Sequence, residues 1–127
     1  MENNKIKSFT DLIAWQEAHK LVLMVYSLTK KYPKDEIFAL TSQSKRTSVS
    51  GSSNIAEGFS RNTPKDKLQF YYIAQGAITE LQDQLLIARD VKYITREDFN
   101  AIAEKSIIVN KLINGLIKKI KSIIHDT

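Results

Sequence analysis

No cysteine occurs anywhere in the sequence, which removes both a disulfide scaffold and a thiolate-held metal site. Histidine is nearly as scarce, with His19 inside an apolar-periodic stretch and His125 close to the last residue. No pair of Glu-x-x-His sequences is present, so the di-iron chemistry that some helical bundles support lacks its ligands. Ser50-Gly51-Ser52-Ser53 offers hydroxyls but no recognisable base, and the strand-turn-helix setting of a nucleophile elbow is missing. Nor is there a glycine motif of the kind that cradles phosphates. The expectation is a chain that is not an enzyme and holds neither cofactor nor metal. No apolar run is long enough to span a bilayer, no Asn-x-Ser/Thr acceptor occurs, and the opening MENNKIKSFTDL lacks the apolar centre of a signal peptide. A cytoplasmic protein with no membrane partner is therefore expected.

Helical periodicity fills most of the chain, and strand-like alternation is absent. Thr10 suits the start of a first helix, with Asp11 placed against its dipole. Leu12, Trp15, Ala18, Val22, Val25, Leu28 and Tyr32 then form a stripe that Pro33 ends. Asn62-Thr63-Pro64 is the clearest break, because Thr63 can cap and Pro64 fits the first helical position. Beyond it Tyr71, Ala74, Ile78, Leu81, Leu85 and Ala88 alternate at spacings of three and four, the seam of an antiparallel bundle. Thr95 to Asp98 reads as another start. Phe99, Ile102, Ser106, Val109, Ile113, Leu116, Ile120 and Ile123 continue the alternation. Ile107, Ile108, Leu112, Ile117 and Ile124 widen that last helix beyond one face, which suits either a broad core stripe or contact with another subunit. The expected architecture is all-α: one domain over 1–127, an antiparallel up-down-up-down four-helix bundle with helices near 10–32, 36–61, 64–92 and 95–124.

The stretch from Thr41 to Arg61 is the least obvious of the four. Seven serines, two threonines and two glycines give it the composition of a loop. At 100° per residue, however, Gln43, Arg46, Ser50, Asn54, Glu57 and Arg61 fall on one face, and Phe38, Val49, Ser52, Ile55, Ala56 and Phe59 gather opposite. That sorting predicts a helix built of small residues. Ser44, Ser48, Ser52, Ala56 and Ser60, each four apart, would let another backbone come close. The polar stripe of Gln43, Arg46, Asn54, Glu57 and Arg61 reads as a packing or assembly device, facing either a neighbouring helix or a neighbouring subunit. A plain solvated face is the bland alternative. Opposite charges at Arg46 and Glu57, and amides at Gln43 and Asn54, suit fixed hydrogen bonds.

A formal net charge of +5 makes an acidic partner, RNA or DNA, plausible without requiring one. Two groups of cations are candidates for phosphate contact. Lys111, Lys118, Lys119 and Lys121 gather toward the C-terminus, where lysines also complement a helix dipole, and Lys45, Lys65 and Lys67 flank the serine-rich helix. Aromatic residues are not interleaved with them in sequence, which argues against base readout.

Four blocks carry a family resemblance. They are Phe9-Thr10-Asp11-Leu12-Ile13-Ala14-Trp15-Gln16, Leu40-Thr41-Ser42-Gln43-Ser44-Lys45-Arg46, Asn54-Ile55-Ala56-Glu57-Gly58-Phe59 and Glu80-Leu81-Gln82-Asp83-Gln84-Leu85. Spread from residue 9 to about 94, they resemble the bacterial four-helix-bundle proteins found as products of intervening sequences in large-subunit ribosomal RNA genes. The resemblance implies a ring-like homopentamer and does not bring an enzymatic activity. A related branch, the accessory protein of diversity-generating retroelements, binds nucleic acid and a reverse transcriptase. It implies an alternative role as an adaptor for a partner protein. One departure is Gly51-Ser52, where family members carry a branched residue and proline, so the kink that proline would impose is not expected here.

Overall fold

Short polar side chains meet free backbone N–H groups at several of the turns from which the chain's helices start. A computed structural model describes residues 5–125. In it Ser8, not Thr10, provides the first cap. The Ser8 hydroxyl accepts the Thr10 N–H, and the Asp11 carboxylate accepts the Ser8 N–H at 3.1 Å and the Lys7 N–H at 2.9 Å. This capping box closes a single 3₁₀ turn, Phe9–Asp11, and Leu12 is extended, so helix α1 runs only from Ile13 to Thr29. A second 3₁₀ turn, Lys34–Glu36, follows Pro33, and α2 (Leu40–Ser60) starts later than the pattern predicts. Its first free N–H, on Leu40, is met from upstream by the Glu36 carboxylate at 3.2 Å. Thr63 caps α3 (Pro64–Asp90) by accepting the Asp66 N–H at 3.1 Å, and Thr95 does the same for α4 (Arg96–His125) through the Asp98 N–H at 3.0 Å.

The fold is an antiparallel up-down-up-down four-helix bundle, with no strand among the described residues. Each helix packs on its neighbour in the chain, and α1 and α4 close the ring. Cross-helix pairs show the antiparallel register, one residue number rising as the other falls. Glu17 meets Lys105 and Lys31 meets Asp98 between α1 and α4, while Gln75 meets Asn114 and Gln82 meets Ser106 between α3 and α4. The core is formed by Leu21, Val25, Ile55, Ile78, Leu81, Leu85, Ile102, Val109 and Ile113, all essentially inaccessible to solvent.

The α3 seam is buried at all six positions that the spacing picks out. On α4 the seam drifts. It runs Ile102, Ser106, Val109, Ile113, Ile117, Ile120, so Ile117 rather than Leu116 is buried and Ile123 is exposed. A straight helix of 3.6 residues per turn slips by about 20° per heptad against a strict heptad, so after three heptads it has turned by about 60°, enough to favour Ile117 over Leu116.

Helix α2 turns a different face inward from the one its large apolar residues suggest. Leu40, Ser44, Thr47, Ser48, Gly51, Ile55 and Gly58 are buried, whereas Val49 is exposed and Ala56 and Phe59 are half-buried. Phe38, just before the helix, is 92% exposed. Of the four-spaced small residues, Ser44, Ser48 and Ser52 are buried, Ala56 is half-buried and Ser60 is exposed. The helix is continuous through Gly51. The closest approach is to α3: a β-carbon at Gly51 would lie 2.7 Å from Ile78 Cδ1, and one at Gly58 would lie 2.6 Å from Tyr71 Cε1.

Several carboxylates that hold these joints sit below their ordinary range. Lys105, then Lys20, lowers Glu17; the Tyr93 hydroxyl, then the Leu40 N–H, lowers Glu36; Lys31 lowers Asp98; and the Lys7 and Ser8 N–H groups lower Asp11. A group depressed in the fold stabilises it above the unfolded pKa and loses that contribution as pH falls through the folded value. Thermal midpoints are therefore expected to hold steady near neutrality and decline progressively below roughly pH 5. Replacing Glu17 by Gln should flatten part of that decline; an unchanged profile would show that the Glu17–Lys105 pair contributes nothing to it.

Candidate functional site

The polar stripe of α2 lies on the outside of the bundle. Gln43, Arg46, Glu57 and Arg61 are exposed, and Asn54 and Ser50 are half-buried. Its hydrogen bonds close on α2 itself. The Asn54 amide donates to the Ser50 carbonyl at 2.8 Å and to the Ser50 hydroxyl at 3.2 Å, and the Arg61 guanidinium meets the Glu57 carboxylate at 2.7 Å. Arg61 also reaches another helix, with its guanidinium 4.4 Å from the centre of the Phe70 ring on α3. Gln43 and Arg46 have no hydrogen-bond or ion-pair partner among the described residues.

The candidate phosphate-contact lysines divide by their surroundings. Lys111, Lys118, Lys119 and Lys121 are exposed on α4, and Lys65 is exposed in the first turn of α3. None of these five has an ion-pair partner among the described residues. Lys111, Lys118 and Lys121 fall at spacings of seven and three, which places them on one line of the helix with His125 beyond. Lys67 is different. Its ammonium donates to the carbonyls of Phe59 at 2.7 Å and Gly58 at 3.4 Å, satisfying the last turn of α2, and desolvation lowers its pKa. Lys45 is half-buried, 4.9 Å from the Tyr26 ring centre on α1.

Aromatic rings and cations, separate in sequence, are paired in space. Besides Lys45 over Tyr26 and Arg61 over Phe70, Lys67 lies 5.4 Å from Phe59 and Arg89 lies 4.9 Å from Phe99. Each pair joins neighbouring helices or the turn between them, so an interleaved sequence pattern does not reveal it. The cations cover ring faces that a nucleobase would need. His19 is likewise stacked on Trp15, with ring centres 4.8 Å apart.

Antiparallel packing gathers these charges at one end. The N-termini of α1 and α3 and the C-termini of α2 and α4 meet there. A hollow lined by Thr63, Pro64, Lys65, Asp66, Ile123 and Ile124 marks the junction of α3 and α4. Arg61, Lys65, Lys67, Lys118, Lys119 and Lys121 converge on that end. The acids near it among the described residues are Asp11, Glu57 and Asp66, and the first two already accept hydrogen bonds. At the other end, Lys30, Lys31, Lys34, Arg89, Lys92 and Arg96 alternate with Asp35, Glu36, Asp90, Glu97 and Asp98. No group of three or more carboxylates and imidazoles that could hold a metal ion forms among the described residues, and no described helix is long and apolar enough to cross a membrane.

These features define a helical bundle whose distinctive chemistry lies on its surface: an outward polar stripe, exposed apolar side chains and one basic end. Residues 10–115 match the 23S rRNA-intervening sequence protein, and the chain belongs to that family. Among solved structures it is similar to a protein of unknown function from the S23 ribosomal protein family of Bacteroides thetaiotaomicron VPI-5482. That likeness has a TM-score of 0.78 and 24% identity over 84% of this chain and 96% of that one. At that identity it shows the shared fold. No curated protein matches the sequence.

Proposed function

We propose that this chain is a non-catalytic interaction module that assembles with copies of itself and holds nucleic acid through its phosphates. The observation that carries the first half is apolar surface left outside a core that is already closed. Phe38 is 92% exposed, Ile13 63%, Leu23 55% and Ile37 53%, and α4 leaves Ile107 and Ile108 outside as well. Isolated exposed apolar residues are ordinary, but a phenylalanine with almost its whole surface in water gains nothing for the monomer. On the polar stripe, the side chains of Gln43 and Arg46, unpaired among the described residues, supply donors and an acceptor for a contact with another copy. A ring of five is the stoichiometry that the family resemblance implies.

Measuring particle mass in solution tests the assembly. At micromolar concentration the expected mass is a multiple of the 14.5 kDa chain. Ile37→Ser with Phe38→Ser should shift it toward the single chain without lowering the helical content, because both side chains are exposed in the bundle. A particle of one chain before substitution would remove the assembly reading. The basic end supports the second half: cations concentrated on one side attract a polyanion without regard to sequence. Binding of single-stranded RNA that weakens steeply with added salt is the expected result, and binding indifferent to salt would count against it.

A further inference from the structure

The turn between α3 and α4 holds a second cationic feature, at the end of the bundle opposite the basic one. Helix α3 stops in a left-handed turn. The Tyr93 N–H donates to the Ala88 carbonyl at 2.9 Å and the Lys92 N–H to the Arg89 carbonyl at 3.0 Å, with Lys92 at φ 68°. Helices that end this way place glycine, or asparagine, at the left-handed position, because a β-carbon is crowded there. These bonds require the left-handed conformation at position 92 but not a lysine there, so the β-carbon of Lys92 carries a local strain that glycine would avoid.

Beside it lies an open cleft of about 610 Å³ lined by Arg89, Lys92, Ile94, Arg96, Phe99 and Asn100. Three cations border it and no carboxylate does. Asp90 takes the Arg89 Nε–H at 2.8 Å, leaving the two Nη groups without a hydrogen bond among the described residues, and the same guanidinium rests over Phe99. The side chains of Lys92 and Arg96 have no hydrogen bond or ion pair among the described residues. Nearby acids are engaged or outside the lining: Lys31 engages Asp98, the Tyr93 hydroxyl and the Leu40 N–H engage Glu36, and Glu97 is not among the lining residues. Cations drawn together around one hollow repel each other unless an anion lies between them.

We propose that this turn binds an oligophosphate group, a diphosphate or terminal phosphate of charge −2 or more. With Asp90 offsetting Arg89, the cleft carries more positive charge than one phosphodiester would match. Arg89 and Arg96 supply forked donors suited to phosphate oxygens, Lys92 an ammonium aimed from the turn, and Asn100, one helical turn beyond Arg96, a neutral amide. The site shares no residue with the basic end, so it stands if that reading fails. The group could belong to a free nucleotide or to the 5′ end of a nucleic acid.

The test is a titration of isotope-labelled protein with inorganic pyrophosphate at low salt, following backbone amide resonances. Saturable shifts confined to about residues 89–100 are expected. Lys92→Gly should raise the thermal midpoint by a few degrees, since glycine relieves the left-handed strain, while weakening pyrophosphate roughly tenfold. Arg96→Gln, at an exposed position, should weaken it similarly with the midpoint unmoved. Shifts spread over the lysines of both ends, or unchanged affinity in both variants, would overturn the proposal. Competition then separates the sources. Displacement by a nucleoside triphosphate supports a free ligand; displacement only by RNA carrying a 5′-phosphate, and not by its 5′-hydroxyl counterpart, supports a nucleic-acid end.

Discussion

Replacing Gly58 by valine is expected to remove about 3 kcal/mol or more of stability, the largest effect of any single change at a helical glycine in this chain. A β-carbon there would meet Tyr71 Cε1 at 2.6 Å, Tyr71 Cδ1 at 2.9 Å and the Lys67 carbonyl at 3.3 Å. Tyr71 is buried in the core, and the carbonyl belongs to the backbone of α3, so neither can yield without moving the helix. Valine adds two methyl groups and a restricted rotamer to that clash. Against a typical margin of 5–15 kcal/mol, such a loss is a large share of the whole. The same logic gives opposite signs elsewhere. Gly76 and Gly115 also lie inside helices, but a β-carbon at either meets nothing within 4 Å. Gly76→Ala and Gly115→Ala should each stabilise by about 0.5–1 kcal/mol through helix propensity alone. At Gly51 the obstacle is the far end of the Ile78 side chain, which can rotate, so Gly51→Ala should fall between. Urea midpoints of the four variants check this. Similar values at Gly58 and Gly76 would mean that α2 and α3 do not approach as closely as described.

That contrast also explains which parts of the fold were legible beforehand. The α3 seam was readable because its buried residues are large and apolar and recur at three and four, and all six are buried. Helix α2 is legible as a helix, but the side on which its large apolar residues gather lies about one residue's rotation from the side that is buried. Its burial is carried by Ser44, Thr47, Ser48, Gly51 and Gly58, which hydropathy does not mark. A signal was present all the same: Ser44, Gly51 and Gly58 repeat every seven residues, the spacing of a seam that admits only small side chains. The large residues Phe38 and Val49, which mark the apolar side by hydropathy, are exposed. Among the site residues, Lys67 looked like a surface cation, yet it satisfies the end of α2, since the chain reverses at Asn62-Thr63 and brings it back over Gly58 and Phe59. No local pattern reports a contact made across a turn. The charge asymmetry between the two ends was hidden for the same reason. It exists only once antiparallel packing places residues 61–67 beside residues 118–121.

The triple change Lys118→Ala, Lys119→Ala, Lys121→Ala is expected to weaken single-stranded RNA binding by one to two orders of magnitude at roughly 0.1 M salt. Each lysine that neutralises a phosphate releases a counterion, so the slope of log affinity against log salt should become shallower by about 0.7 per contact, or roughly 2 for three. The slope distinguishes this from general damage, because a misfolded protein loses affinity without a defined change in salt dependence. All three side chains are exposed, and none has an ion-pair partner among the described residues, so the thermal midpoint should not fall. Lys67→Ala supplies the opposite control. Removing its ammonium strips the Phe59 and Gly58 carbonyls of a partner and uncovers the Phe59 ring, so stability should drop by about 1 kcal/mol with the salt slope changed little. If the triple variant kept both affinity and slope, phosphate contact would have to lie away from α4. If instead Lys67→Ala alone reproduced the loss of slope, the lysine that closes α2 would be the one that meets the nucleic acid, and the basic end would act through its centre rather than its rim.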